Sequence, residues 1–206
     1  MPIFFQHQIN ETTRLGIWKI EEAEEFFLSN VPLQKEVTHP HKRLQHLAGR
    51  FLLQFLFPDF PYGLIQIADT RKPYLPDEQY HFSISHCGDF AAAIVSSDQR
   101  VGIDAEIPSE KVERIRNKFL NEQEISKSDS YRIETPNAEL LTVMWCAKEC
   151  VFKWYGDGKV DFRRHIQLQT IHQGLETVHC FFAKTSQQLT IHYRSLGQLI
   201  MAWVVS

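Results

Sequence analysis

The chain has 206 residues, 43% of them hydrophobic, and a formal net charge of −3. That length suits one large domain or two small ones with packed cores, and the near-balanced charge gives no sign of a nucleic-acid binder. No apolar run approaches the roughly 20 residues that span a bilayer. The start, Met1-Pro2-Ile3-Phe4-Phe5-Gln6-His7, lacks the charged and apolar regions of a signal peptide, so a cytoplasmic protein without a membrane partner is expected.

Residues up to Ile20 mix strand-like runs with turn residues. Glu21 to Ser29 predicts a short acidic helix. Thr38 to Phe57 predicts a longer one, since Leu44, Leu47, Phe51, Leu52 and Phe55 fall near a helical period. Pro58 and Pro61 stop it. Strands are expected at Leu64 to Ala68, Tyr80 to Ile84, Phe90 to Ser96 and Val101 to Ala105. Helices follow at Ser109 to Phe119 and Asn121 to Lys127, then a polar loop from Ser126 to Asn137. Ala138 to Tyr155 is the strongest helix, ended by Gly156-Asp157-Gly158. Strands return at His165 to Thr170, Val178 to Phe182, Leu189 to Tyr193 and Leu199 to Val205.

Each half therefore runs from a long helix into several strands. Ala91-Ala92-Ala93-Ile94-Val95-Ser96 and Met201-Ala202-Trp203-Val204-Val205-Ser206 also read alike. The pattern predicts an α+β protein of two similar subdomains in pseudo-two-fold arrangement, each a long helix on a small, mainly antiparallel sheet. The expected boundaries are 1–102 and 103–206, with a ligand cleft between the halves. Cys87, Cys146, Cys150 and Cys180 show no C-x-x-C spacing and read as buried thiols, not disulfides or zinc ligands.

Two patterns carry chemistry. In Val101-Gly102-Ile103-Asp104-Ala105-Glu106, a strand would aim Asp104 and Glu106 to one face, and Gly102 would permit close backbone approach. In Trp145-Cys146-Ala147-Lys148-Glu149-Cys150-Val151-Phe152-Lys153, a helix would line Trp145, Glu149 and Lys153 along one stripe. Lys148 would point about 100° away from Glu149. Brought together, the three carboxylates and Lys153 would suit magnesium-assisted phosphate chemistry: oxygen ligands hold the ion and an ammonium neutralises phosphate charge. Lys72, in Arg71-Lys72-Pro73, and His86, in Phe82-Ser83-Ile84-Ser85-His86-Cys87-Gly88, could hold phosphates. The cluster His39, His41, Lys42, Arg43 and His46 opens a helix, where backbone N–H groups favour anions. Each pattern alone has a plain structural counterpart: an exposed strand face, a surface ion pair, a structural histidine or a solvated basic face.

Together, Lys72-Pro73 with Leu75, Phe82 to His86, Val101 to Glu106, and Trp145 with Lys148-Glu149 and Lys153 closely resemble the 4′-phosphopantetheinyl transferases in order and spacing. The length matches their long, two-halved, surfactin-type form. The resemblance implies a monomeric holo-[acyl-carrier-protein] synthase type enzyme. It would move phosphopantetheine from coenzyme A to a serine of an acyl or peptidyl carrier protein and release 3′,5′-ADP. By motif match, Asp104, Glu106 and Glu149 look like the Mg2+ ligands, with Glu149 also the base for the carrier serine. Lys153 looks like the group that stabilises or protonates the leaving phosphate. Lys72, Ser85 and His86 look like coenzyme A contacts. Glu124 sits where the family often carries another acid near the metal. Long-form members often place an arginine a few residues before the first helix's glycine; measured from Gly49 this chain has Gln45 there. Lys42, Arg43 and Arg50 are then the alternatives for the 3′-phosphate.

Two other functions would use the same residues. A nucleotide pyrophosphatase would attack with water and turn over coenzyme A without a carrier. A non-catalytic coenzyme A or carrier-protein binding module would bind without turnover, and the presence of Asp104, Glu106, Glu149 and Lys153 argues against it.

Overall fold

A computed structural model describes residues 3–31, 37–130 and 137–206. The chain divides into two compact units, Met1–Val101 and Gly102–Ser206. In both, helices pack on an antiparallel sheet, giving a mixed α+β protein.

The first unit holds β1 (Ile3–Gln8), β2 (Thr13–Lys19), α1 (Glu24–Leu28), α2 (Pro40–Leu56), β3 (Gln66–Ile67), β4 (Pro73–Tyr74), β5 (His81–Cys87) and β6 (Phe90–Ser96). Its main sheet has the order β1-β2-β6-β5. The predicted strand at Leu64 to Ala68 shrinks to a single 3-10 turn, Tyr62–Leu64, and the two-residue β3, which pairs with β4. Pro40 starts α2, since its missing N–H is not needed in a first turn, and His39 accepts from the Lys42 N–H. α2 buries Leu47, Ala48, Leu52 and Leu53 against Trp18, Phe82, Ala91 and Ala93. Removing such apolar surface from water stabilises the fold by about 25 cal/mol per Å².

The second unit holds β7 (Val101–Glu106, with Val101 still in the first unit), α3 (Glu110–Phe119), α4 (Glu122–Ser130), α5 (Asn137–Tyr155), β8 (Ile166–His172), β9 (Thr177–Phe182), β10 (Gln187–Leu196) and β11 (Leu199–Val205). Its sheet has the order β7-β11-β10-β9-β8, so β7 and β8 are its two edges. α5 lies chiefly over β11, burying Leu141, Ala147, Cys150 and Val151 among Ile166, Val178, Ile191, Ala202 and Val204. α4 runs on to Ser130, through residues expected in a loop. The rest of that loop, 131–136, lies outside the described residues.

The two units share a device. β5 turns into β6 through Gly88-Asp89, and β10 into β11 through Gly197-Gln198; in each the first turn residue is a glycine with positive φ, 52° and 64°. That geometry follows the right-handed twist of a hairpin and costs a residue with a Cβ more than a glycine. In each unit the strand after this turn, β6 or β11, is an inner strand under the long helix. Cys146, Cys150 and Cys180 are buried thiols, but Cys87 is only partly buried. Burial pushes the Cys180 thiol up to about 12, which keeps it protonated and inert. Among the described residues no helix is long and apolar enough to cross a membrane.

Candidate active site

Alternate residues of a strand share a face, so Gly102, Asp104 and Glu106 line one side of β7. α5 covers that side. A Cβ at Gly102 would collide with the Cys150 carbonyl oxygen and would stand 2.9 Å from the Trp154 Cβ and N. The absence of a side chain at 102 thus lets the helix backbone lie directly on the strand, as the sequence suggested. Two residues further on, Asp104 is buried, and its Oδ1 accepts a hydrogen bond from Lys153 Nζ at 2.6 Å. Glu149 is one helical turn from Lys153 and Trp145 one turn before that. Trp145 anchors its end of the stripe edge-to-face on Phe119, ring centroids 5.0 Å apart. Beside it an open pocket of about 110 Å³ is lined by Glu106, Ser109, Val112, Ile115, Thr142 and Trp145, among others. Ligand clefts are typically about 300–1,000 Å³, so it has room for one small group only.

The electrostatics single out Glu149. Burial pushes its carboxyl up to about 7; the charges of Asp104 and Glu106 add to the rise and Lys153 opposes it. For Lys153, burial works against the charge, but Asp104 and Glu149 outweigh it and the pKa stands raised. The lysine therefore stays an ammonium while the glutamate exchanges its proton near neutrality. A carboxyl so poised can act as acid or base at physiological pH.

Among the described residues no three His, Cys, Asp or Glu side chains are already gathered into a metal cage. The donor chemistry of Asp104, Glu106 and Glu149 nonetheless fits a hard divalent cation. All are carboxylates; burial is the main cause of the raised Glu149 value, and the charges of Asp104 and Glu106 add a repulsion that such a cation relieves.

The structure separates the basic residues of the first unit. Arg43 is committed to α1 and the segment before α2: its Nε donates to Glu24 Oε1 at 2.7 Å and its Nη1 to the Val37 carbonyl at 3.0 Å. Arg50 is 7% exposed. Its Nη1 lies 3.1 Å from His46 Nδ1, and among the described residues its buried Nε has no acceptor. Burial lowers its pKa. A buried guanidinium without a carboxylate is a costly arrangement that an anion would relieve. Gln45 donates to the Gly88 carbonyl at 2.7 Å, so it braces the β5–β6 turn. On β5, Ser85 is buried and His86 exposed; as neighbours they point to opposite faces of the sheet. Lys72 is partly buried in the turn into β4.

Glu124 lies apart from the Asp104–Lys153 pair. Its Oε2 accepts from Lys148 Nζ at 2.8 Å and from the Asn121 N–H at 2.8 Å, and its Oε1 from the Leu168 N–H at 2.7 Å. The Glu124 N–H donates back to Asn121 Oδ1 at 3.0 Å, completing a capping box on α4. The spacing Asn121-x-x-Glu124 carries that signal. Nothing in the sequence marks Lys148, a lysine with no exposed surface, as buried.

A buried carboxylate, a carboxyl titrating near neutrality and a charged lysine along one helix–strand seam are the groups that proton transfer beside a polyanion requires. The family profile of the 4′-phosphopantetheinyl transferase superfamily matches residues 100–204, half of the chain and the part that holds this seam. The chain belongs to that superfamily. It is 33% identical over 117 residues to enterobactin synthase component D of Salmonella austin, covering 56% of this chain and 49% of that protein. Against the protein of the same name from Escherichia coli strain K12 the identity is 34% over 117 residues, 54% of each chain. The 4′-phosphopantetheinyl transferase AcpT of Escherichia coli O157:H7 is 27% identical over 153 residues, 71% of this chain and 77% of AcpT. The chain spans about half the length of the enterobactin synthase relatives that it matches.

Proposed function

We propose that the protein transfers 4′-phosphopantetheine from coenzyme A to a serine hydroxyl of an acyl or peptidyl carrier protein. The observation that carries this is the Asp104–Lys153–Glu149 group, with Glu149 held near pH 7 beside a charged lysine. In the reaction, serine Oγ attacks the β-phosphorus of coenzyme A. The bond from that phosphorus to the bridging oxygen breaks, 3′,5′-ADP leaves, and the serine proton passes to Glu149. Lys153 neutralises the charge that gathers on the departing phosphate, a term that grows toward the transition state. Asp104, Glu106 and Glu149 would hold a Mg2+ ion, which when bound supplies further neutralisation of the pyrophosphate. For the 3′-phosphate, Arg50 is the better candidate than Arg43, because Arg43 is already paired with Glu24. Lys72, Ser85 and His86 complete the proposed coenzyme A contacts.

The test is a mass spectrum of apo carrier proteins incubated with the protein, coenzyme A and magnesium. Transfer adds about 340 Da, the phosphopantetheine group moved by phosphoryl transfer. Coenzyme A consumed at the same rate without any carrier would instead mean a pyrophosphatase. Binding of coenzyme A and carrier with no mass change would mean a binding module.

Two substitutions sharpen the assignment. Lys153→Ala is expected to lower kcat by about 10²-fold while leaving the KM for coenzyme A nearly unchanged, since its contribution belongs to the transition state. An unchanged kcat with a raised KM would remove it from that role. Asp104→Ala is expected to abolish magnesium-dependent transfer while the far-UV circular dichroism stays native. Wild-type turnover in that variant would take Asp104 out of the site.

A further inference from the structure

We propose that Lys148 and Glu124 are positioning residues that fix the rotation of α5 and thereby hold Glu149 and Lys153 against β7. The inference rests on the transferase function proposed above and adds two residues to its machinery.

The pair is buried throughout, Lys148 at 0% and Glu124 at 2% exposure. All three protons of the ammonium have acceptors: Glu124 Oε2 at 2.8 Å, the Phe162 carbonyl at 2.8 Å and the Ile166 carbonyl at 2.7 Å. Glu124 in turn takes the Asn121 and Leu168 N–H groups. One side chain of α5 is thus tied to α4, to the segment before β8 and to β8 itself. The Leu168 contact falls where β8 slips register against β9, between Leu168 and Thr170.

Location gives the pair its mechanical meaning. Lys148 holds α5 to β8, one edge of the five-stranded sheet, and Lys153 holds it to Asp104 on β7, the other edge. Five residues of helix separate the two lysines by about 140° around the axis. Two ties at that angle, on opposite edges, oppose rotation of the helix in either direction. Apolar packing beneath α5 is non-directional and would tolerate a small roll. A buried ion pair contributes little net stability compared with well-packed apolar side chains, whereas its hydrogen bonds are directional. Glu149, next to Lys148 in the chain, would be displaced by any roll.

The test compares the neutral double variant Lys148→Met/Glu124→Gln with a core control, Leu189→Ala, at a temperature where both are folded. Leu189 is buried on β10, two strands from β7. The double variant is expected to lose about 10²-fold in kcat, the scale of a misplacement of about 1 Å, with the KM for coenzyme A within about twofold. The control, though it melts earlier, keeps its kcat. A double variant with wild-type kcat would overturn the positioning role. Should it not fold, Glu124→Gln alone, which leaves the Lys148 bonds to the Phe162 and Ile166 carbonyls available, is held to the same criteria. If the wild-type protein transfers nothing to any carrier, the function proposed above fails, and amide hydrogen exchange then decides the present inference. Faster exchange confined to residues 146–153 in the double variant upholds it; faster exchange spread equally over the unit, as in the control, overturns it.

Discussion

Glu149→Gln is expected to reduce phosphopantetheine transfer by about 10²-fold or more, because it removes the proposed base without changing the side chain's size or helix position. The pH profile distinguishes this from loss of a metal ligand alone. With the Glu149 carboxyl at about 7, the wild-type rate should rise with pH through an acid limb near neutrality. Bound magnesium would draw that limb downward. The residual activity of the variant should lack it. Rescue to the wild-type rate by excess magnesium would show that Glu149 only holds the ion. Glu124 would not then inherit the role of base, since its carboxylate is already occupied by Lys148, Asn121 and Leu168.

The same raised value predicts a stability effect of definite sign. Glu149 moves from an ordinary 4.5 to about 7 on folding. Between those values the unfolded chain has released its proton and the folded one has not. Metal-free stability should therefore fall as pH rises through that window and stay lower above it. The full effect is on the order of 3 kcal/mol. Metal-free Glu149→Gln should melt higher than wild type at pH 8, and the difference should close below about pH 4.5. Equal melting at pH 8 would mean that the carboxyl is not raised.

Gly102→Ala should damage both fold and turnover. The new Cβ would overlap the Cys150 carbonyl and crowd the Trp154 backbone. Those atoms belong to the helix backbone and have no rotamer by which to escape, so α5 must lift from β7. Overpacking of this kind costs about 1–3 kcal/mol. Asp104 stands on the same strand face, so the Lys153 contact stretches with it, and kcat should fall by about 10²-fold. Gly63→Ala is the matched control: nothing lies within 4 Å of a Cβ there, and its melting temperature should stay at the wild-type value. A Gly102→Ala protein with wild-type stability would contradict the close approach of α5 to β7.

Much of this site was legible because it rests on local periodicity. Asp104 and Glu106 are two apart in an apolar strand, and Glu149 and Lys153 four apart in a helix; those spacings decide which side chains share a face wherever the elements go. The core strands from Phe90 and Leu199 and the helix from Ala138 were likewise readable, since their burial follows the period of the backbone. Arg43 and Arg50 show the limit. Both are arginines on the same predicted helix, and only the docking of α1, which brings Glu24 to Arg43, separates a neutralised guanidinium from one buried without a carboxylate among the described residues.

The boundary between the two kinds of information runs through Lys148-Glu149-Cys150. From the sequence alone, helix geometry determined that Lys148 and Glu149 point about 100° apart, and glycine at 102 marked a place where a backbone could come close. Which of the two charged neighbours joins the Asp104–Lys153 seam, and which is sealed in the core, was decided by partners remote in the chain. Asp104 meets Lys153 across 49 positions, and Glu124 and the Ile166 carbonyl meet Lys148 across 24 and 18. A lysine is buried only where the fold delivers acceptors for all its protons. That supply depends on where β8 and α4 come to rest, and no local pattern encodes it.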